Sequence, residues 1–288
     1  MTPVTGSFES LRFRPLGPGD IEGAAALSAE AGWNQTADDW RLLIAGGRSL
    51  GVEAPDGRLV ATALAYVYDR SIAWTAMVLV TAEWRRRGVA TELMRRVVAD
   101  CQARGLLSGL DATPAGREVY LPLGFRDVYR FSRLEARRID MPARSAGIRR
   151  VETGDIERIV AYDQGVSGMA RGPLIESLCR RRPDQAWLAE RDGEVSGLAL
   201  ARDGRRADQL GPLLADDAAT ARGLVQAALA GLEQPVFIDL LDDKTELREL
   251  LQNAGFRHQR CYIRMLLGRE APLDDHARVY AVAGPEFG

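Results

Sequence analysis

Lysine is almost missing from this chain. Of 38 basic residues only Lys244 is a lysine, and the other 37 are arginine. A phosphate loop of the Gly-Lys-Ser/Thr type is therefore absent, because Lys244 sits in Asp-Lys-Thr with no glycine beside it. Schiff-base or pyridoxal phosphate chemistry would have to rest on that one residue. Histidine is scarce too: only His258 and His276 occur, so a three-histidine zinc site is impossible and no metal site is expected. There is no Gly-x-Ser-x-Gly elbow, which argues against a hydrolase of that type. Cys101, Cys179 and Cys261 are odd in number and far apart, and they read as reduced, mostly buried thiols of a cytoplasmic protein. Met1 to Ser10 has no apolar core of a signal peptide, and the most apolar run, Ile72 to Val80, is too short to span a bilayer. A formal net charge of −2 gives no global case for nucleic acid or an anionic membrane.

What is present is 288 residues with 46% apolar content, enough for two domains with sizeable cores. The chain repeats itself once. Gly19-Asp20-Ile21-Glu22 recurs as Gly154-Asp155-Ile156-Glu157, Asp56-Gly57 as Asp192-Gly193, and Gly124-Phe125-Arg126 as Gly255-Phe256-Arg257. Asp111 and Asp239 end similar apolar runs. Four matches in the same order and at nearly constant offset argue for two copies of one fold.

Local patterns predict the same element order in each copy, β-α-α-β-β-β-α-β-α-β. In the first copy, strands are expected at 11–15, 50–54, 59–68, 72–81, 106–112 and 125–134. Asp20 and Thr36 can cap helices, the second of which should end at Gly46-Gly47. Val89, Leu93, Val97 and Cys101, with Ala90, Met94 and Val98, form the strongest helical stripe. The expected class is α/β (α+β): two tandem folds with mixed, mostly antiparallel sheets flanked by helices. The division is 1–136 for the first domain, 137–147 for a linker and 148–288 for the second. The tail from Arg269 is expected to wrap the surface.

The arginines matter most at Glu83-Trp84-Arg85-Arg86-Arg87-Gly88-Val89-Ala90-Thr91, between the best strand and the best helix. A strand-to-helix junction aims free N–H groups and the positive dipole end outward. Gly88 allows close approach of a ligand, and Ala90 and Thr91 keep the first turn open. Arginine beside a helix N-terminus opposes the dipole, which favours an anionic ligand over a merely solvated run. For most of the other arginines codon bias is explanation enough.

Val78-Leu79-Val80 followed by Arg85-x-x-Gly88-x-Ala90 resembles the acyl-CoA signature of the GNAT (GCN5-related) N-acetyltransferases, as does Tyr120-Leu-Pro-Leu-Gly124-Phe125. That resemblance covers roughly residues 11 to 135. The second half resembles the degenerate GNAT-like domain of the acetyltransferase-18 type, on Gly168-Met-Ala-Arg171, Leu210-Gly-Pro-Leu and Cys261-Tyr-Ile-Arg-Met265. The resemblance implies acetyl-CoA as cosubstrate. Its pantetheine arm would lie on Val78, Leu79 and Val80. Its pyrophosphate would lie on the amides of Arg86, Arg87, Gly88, Val89, Ala90 and Thr91, with Arg85 at the first signature position. It implies Tyr120 as the general acid, and Thr113 at the place of a cofactor-touching Asn. A tyrosine of ordinary pKa near ~10 suits donation to a thiolate near ~8.5.

In the second copy the matching junction is Asp216-Asp217-Ala218-Ala219, which suits an unliganded helix and would repel pyrophosphate, and Leu251 replaces the tyrosine. This copy is expected to shape a cleft or an interface, with Asp163, Met169 and Arg171 as candidates to reach the first site. Trp33 is a candidate for the acceptor site, whereas Tyr66 and Trp74 read as core. Glu53, Asp69 and Asp111 are candidate bases that the sequence does not rank. The expected activity is acetyl transfer to the amine of a small molecule, with no nucleic acid and no membrane as partner. A homodimer is compatible with it. The competing reading is a non-catalytic acyl-CoA or metabolite-binding module of the same fold. An RNA-binding protein is disfavoured by the flat charge and the lack of interleaved aromatics.

Overall fold

A computed structural model of the protein describes residues 10–69, 71–140, 147–232 and 235–288. The start of the chain read for a leader, up to residue 9, and positions 141–146 of the expected linker lie outside the described residues.

The expected order occurs twice. The first run is β1 (Arg12–Pro15), α1 (Ile21–Glu30), α2 (Ala37–Gly46), β2 (Gly47–Glu53), β3 (Leu59–Val67), β4 (Ile72–Val80), α3 (Val89–Ala103), β5 (Leu107–Ala112), α4 (Pro114–Tyr120) and β6 (Phe125–Ala136). The second is β7 (Ile148–Arg150), α5 (Ile156–Ser167), α6 (Gly172–Arg181), β8 (Ala186–Arg191), β9 (Glu194–Arg202), β10 (Asp208–Ala215), α7 (Ala218–Leu229), β11 (Val236–Leu241), α8 (Thr245–Asn253) and β12 (Arg257–Leu267). A further strand, β13 (Val279–Ala281), follows.

Local chemistry explains most boundaries. Thr36 caps α2 by accepting from the Asp39 N–H at 3.4 Å, and Asp39 returns the contact to the Thr36 N–H at 2.8 Å. Thr113 caps α4, with Pro114 at its first position. α2 ends at Gly46-Gly47 as expected, but no loop follows, because β2 begins at Gly47. A Cβ on Gly46 would lie 2.3 Å from Tyr66 Cε2, and one on Gly47 would lie 2.5 Å from the Leu43 carbonyl oxygen. These glycines serve close packing rather than a loop.

All thirteen strands form one sheet, in the order β1-β2-β3-β4-β5-β12-β6-β11-β13-β10-β9-β8-β7. Most neighbours are antiparallel. The parallel pairs are β4–β5 and β10–β11, one in each copy. The two copies exchange their last strands: β12 lies between β5 and β6, and β6 pairs with β11. The division at residues 137–147 therefore orders the chain but does not separate two sheets.

Buried ion pairs follow the repeat. Arg264 of β12 grips Asp111 of β5 through two bonds of 2.9 Å, and Arg133 of β6 grips Asp239 of β11 at 2.8 and 2.7 Å. Each pair joins one copy to the other. Arg14 with Asp20 and Glu53 is likewise repeated as Arg149 with Asp155 and Glu190.

The helices cover both faces. Val89, Leu93, Val97 and Cys101 of α3 pack on Val52, Val60 and Ala63. On the other face α1, α2, α5 and α6 share one apolar cluster, in which Trp40, Leu43 and Leu64 join Ile159, Leu174 and Leu178. The tail runs at the surface from 269 to 278, as expected, but then turns inward. β13 is fully buried within the sheet, and Val282, Ala283 and Phe287 beyond it are buried as well. An apolar tail of this kind is driven inward by the same burial that drives a strand.

Candidate active site

β4 and β5 run parallel only from Ile72 to Thr75, paired with Leu107 to Leu110. β12 lies on the other edge of β5, and β5 offers β4 no partner beyond Thr75, so among the described residues the β5-facing edge of residues 76–80 is open. The divergence coincides with a bulge. Thr62 faces Leu79 while Leu64 faces Ala76, so Met77 and Val78 together oppose a single residue of β3. Met77 takes the left-handed value φ 55°, and its carbonyl accepts from Thr62 Oγ1 at 2.8 Å. A strained residue at the mouth of an open strand edge is a site signal.

The arginine loop follows. Gly88, at φ 84°, caps α3 with no side-chain hydrogen bond, and the Glu92 N–H is the first to bond back, to the Gly88 carbonyl. The amides of Val89, Ala90 and Thr91 thus have no partner within the helix and face the start of its dipole. The three arginine side chains are less available than their sequence suggests. Arg85 Nε donates to the Val80 carbonyl at 2.9 Å, and its Nη2 lies 3.8 Å from Glu30. Arg87 lies over the Trp84 ring. Arg86, at φ 60°, forms no ion pair among the described residues. What this loop offers an anion is backbone amides more than guanidinium groups. Val89 and Leu79 point their side chains into the core, and Thr91 is exposed.

A cavity of about 310 Å³ opens beside this junction. Of the residues expected at the site, Val78, Ala90, Thr113 and Tyr120 line it, as does Trp33. Tyr120 ends α4, lies tilted against Phe125 at 6.1 Å and stands over Gly116, where a Cβ would come within 3.1 Å of its ring. Its hydroxyl has no hydrogen-bond partner among the described residues. Burial pushes it up to about 12, above the ordinary value assumed from sequence. The Thr113 hydroxyl accepts from the Gly116 N–H at 3.1 Å, so its first duty is to cap α4.

The structure separates the three candidate bases. Glu53 is tied to Arg14 at 2.7 Å, and Asp69 holds the turn before β4 through Ser71 and Ile72; neither lines the cavity. Asp111 does line it. Burial pushes its carboxyl up to about 6, against the lowering pull of Arg264. Asp163, Met169 and Arg171 do not reach the cavity. Asp163 grips Arg171 in the interior, and Arg171 bonds the Gly288 oxygen, which fixes the tail. Tyr66 and Trp74 are core residues, as read.

Sequence reasoning missed Gln35, Arg133, Phe237, Tyr262 and Glu286 in the cavity wall. Four of these come from β6, the second copy or the tail. Only the strand exchange and the buried path of the tail bring them here, and no local motif marks either.

The corresponding opening in the second copy is closed. β10 carries a bulge at Gly211-Pro212, and β13 lies beside both β10 and β11. The Ala215 N–H bonds the Arg278 carbonyl at 2.9 Å, and the Val282 N–H bonds the Asp239 carbonyl at 3.1 Å. A Cβ at Gly211 would stand 2.1 Å from the Val282 carbonyl oxygen, so glycine is required where the tail crosses. Asp217 caps α7, accepting from the Thr220 N–H at 2.8 Å, and that bond helps bring its carboxyl down to about 2. Leu251 is fully buried core. Among the described residues no His, Cys, Asp and Glu cluster could hold a metal ion, and no helix is long and apolar enough to cross a membrane.

Family models match both copies. Residues 24–125 match the acetyltransferase (GNAT) family, and residues 159–281 match an acetyltransferase (GNAT) domain. The chain is 20% identical to the uncharacterized N-acetyltransferase YitH of Bacillus subtilis (strain 168) over 271 residues, covering 93% of this chain and 95% of YitH. Among solved structures, a putative acetyltransferase from Pyrococcus horikoshii is similar with a TM-score of 0.80 at 22% identity, covering 98% of this chain and 97% of that one. A tandem GNAT protein from the clavulanic acid biosynthesis pathway has a TM-score of 0.63 at 16% identity, covering 89% and 98%.

Proposed function

The chain carries two GNAT-family domains in tandem, and on that premise we propose that the first is an acetyl-CoA-dependent N-acetyltransferase for a small-molecule amine and that the second has lost its cofactor slot to the tail. One observation carries the reading: the open edge of β4, the free first turn of α3 and the unpartnered Tyr120 hydroxyl converge on one side of the fold.

In this reading the edge at Val78 to Val80 takes the pantetheine arm as an added strand. The amides of Arg86 to Thr91 take the pyrophosphate. The bound thioester supplies an electrophilic carbonyl for direct attack by the uncharged amine. A strand amide near the bulge polarises that carbonyl. Tyr120 keeps its proton at neutral pH and donates a hydrogen bond to the sulfur as charge develops there. A hydroxyl titrating at about 12 does not protonate a thiolate near ~8.5 unaided. As the carbon–sulfur bond breaks, the Tyr120 proton passes to sulfur and the proton shed by the attacking nitrogen returns to the Tyr120 oxygen, so CoA leaves as the thiol and the hydroxyl is restored. Direct attack needs no cysteine nucleophile, and none of Cys101, Cys179 and Cys261 lines the cavity.

The test is titration with acetyl-CoA followed by a screen of primary amines for thiol release. Saturable binding with turnover supports the enzyme. Binding without turnover across a broad panel would assign a non-catalytic acyl-CoA-binding module, and absence of binding would remove both.

A further inference from the structure

Away from β4 the cavity is lined by arginine: Arg133, Arg206 and Arg260. Arg133 of β6 and Arg260 of β12 stand directly opposite each other in the sheet, so their side chains share one face. Two like charges so placed repel each other unless something neutralises them. Arg133 is neutralised, because Asp239 accepts two of its bonds, at 2.8 and 2.7 Å. Arg260 is not. It is half-buried, and its guanidinium forms no hydrogen bond or ion pair among the described residues.

Arg206 brings a third charge, from the segment that joins β9 to β10. Its Nη1 donates to the Gly32 carbonyl at 2.9 Å, and its guanidinium lies 5.8 Å from the centre of the Phe237 ring, which Arg133 approaches to 5.0 Å. Arg206 is thus held beside Arg133, and among the described residues it has no carboxylate partner. The carboxylates that line the cavity are already taken. Arg264 holds Asp111 through two bonds of 2.9 Å, and Arg202 holds Glu286. Glu135, across from this part of β12, accepts from Gln259 at 2.8 Å. Two guanidinium groups are left without a counter-ion in one cavity wall.

We propose that Arg260 and Arg206 bind a carboxylate on the acceptor, which makes the acceptor a small amino acid. A carboxylate matches the guanidinium fork, and charge-assisted bonds of this kind are stronger than neutral ones. An anion between the arginines also removes the repulsion that Arg260 meets opposite Arg133. A cavity of about 310 Å³, shared with the thioester, suits a molecule of that size. Both arginines belong to the second copy, so the copy without a cofactor slot supplies acceptor recognition to the first. The amine of the acceptor rests on the transferase reading above; its carboxylate rests on the arginines.

Titration calorimetry of the full chain tests it, with the standard L-amino acids, β-alanine and 4-aminobutyrate, each beside its carboxamide, first alone and then with saturating CoA. At least one acid should bind about tenfold or more tightly than its amide. Arg260→Gln should cut that preference by about tenfold, and Arg206→Gln by about threefold because Arg206 is exposed and screened. Acetyl-CoA affinity should stay within about threefold in both. Arg260→Gln should leave the unfolding midpoint unchanged or higher, since it relieves the repulsion with Arg133; a purely structural arginine would lower it. Arg206→Gln, at an exposed position, carries the test if Arg260→Gln fails to fold. The proposal is overturned if no acid binds more tightly than its amide in either state, if O-phosphoethanolamine binds more tightly than every acid, or if the folded variants keep the full preference. A preference for acids without any binding of acetyl-CoA would sink the transferase reading and leave the carboxylate site standing.

Discussion

Tyr120 is the residue on which the proposed chemistry turns. Tyr120 lines the cavity, its hydroxyl has no partner among the described residues, and its ring is packed by Phe125 and by the absence of a side chain on Gly116. Tyr120→Phe removes one oxygen and leaves the packing, so it should lower kcat by about 100-fold or more while the acetyl-CoA Kd stays within about threefold. Steady-state thiol release and calorimetry check the two halves of that statement; an unchanged kcat would remove the general-acid role. Tyr120 was legible from sequence because it belongs to a local motif with Gly124 and Phe125. Arg85 was legible as a position but not as a role, because Glu30 lies outside the motif and the bond to the Val80 carbonyl depends on how the loop folds back. Glu286 was not legible at all, since nothing local shows that a residue of the tail is buried.

Among the elements, α3 was the easiest to read, because its apolar stripe repeats at helical spacing and one face is buried under β2 to β4. Leu93 is fully buried there, so Leu93→Ala should cost about 2–5 kcal/mol, measured by denaturant unfolding. The repeated Arg-Asp-Glu trios give a second prediction, with a pH sign. Arg149, and the Glu152 N–H at 2.9 Å, hold Asp155 down to about 2. Its folded value lies below its unfolded one, so the stabilisation is present above about pH 4 and is lost as pH falls towards 2. Asp155→Asn should therefore cost about 1–2 kcal/mol at pH 7 after solvent screening, and the difference from wild type should vanish near pH 2. A constant difference across that window would contradict the pairing. At the α2–β2 boundary Gly46 and Gly47 end the helix as read, and they also make room for Tyr66 and the Leu43 carbonyl, which no local pattern shows.

At the scale of the molecule, the duplication was visible in four short matches, whereas the exchange of β6 and β12 was not. Both strands have the same pattern, and which neighbour each chooses is a long-range matter of register. The consequence is mechanical unity: each sheet half is completed by the other, and Arg133–Asp239 and Arg264–Asp111 lock the exchange. Thermal unfolding should show a single transition, and deletion of residues 279–288 should lower its midpoint. Two separate transitions would mean that the copies fold independently. The most direct test of the whole account is the stoichiometry of acetyl-CoA binding to the intact chain. With the first opening free and the second filled by β13, calorimetry should give one acetyl-CoA per chain. Two per chain, or none, would contradict it.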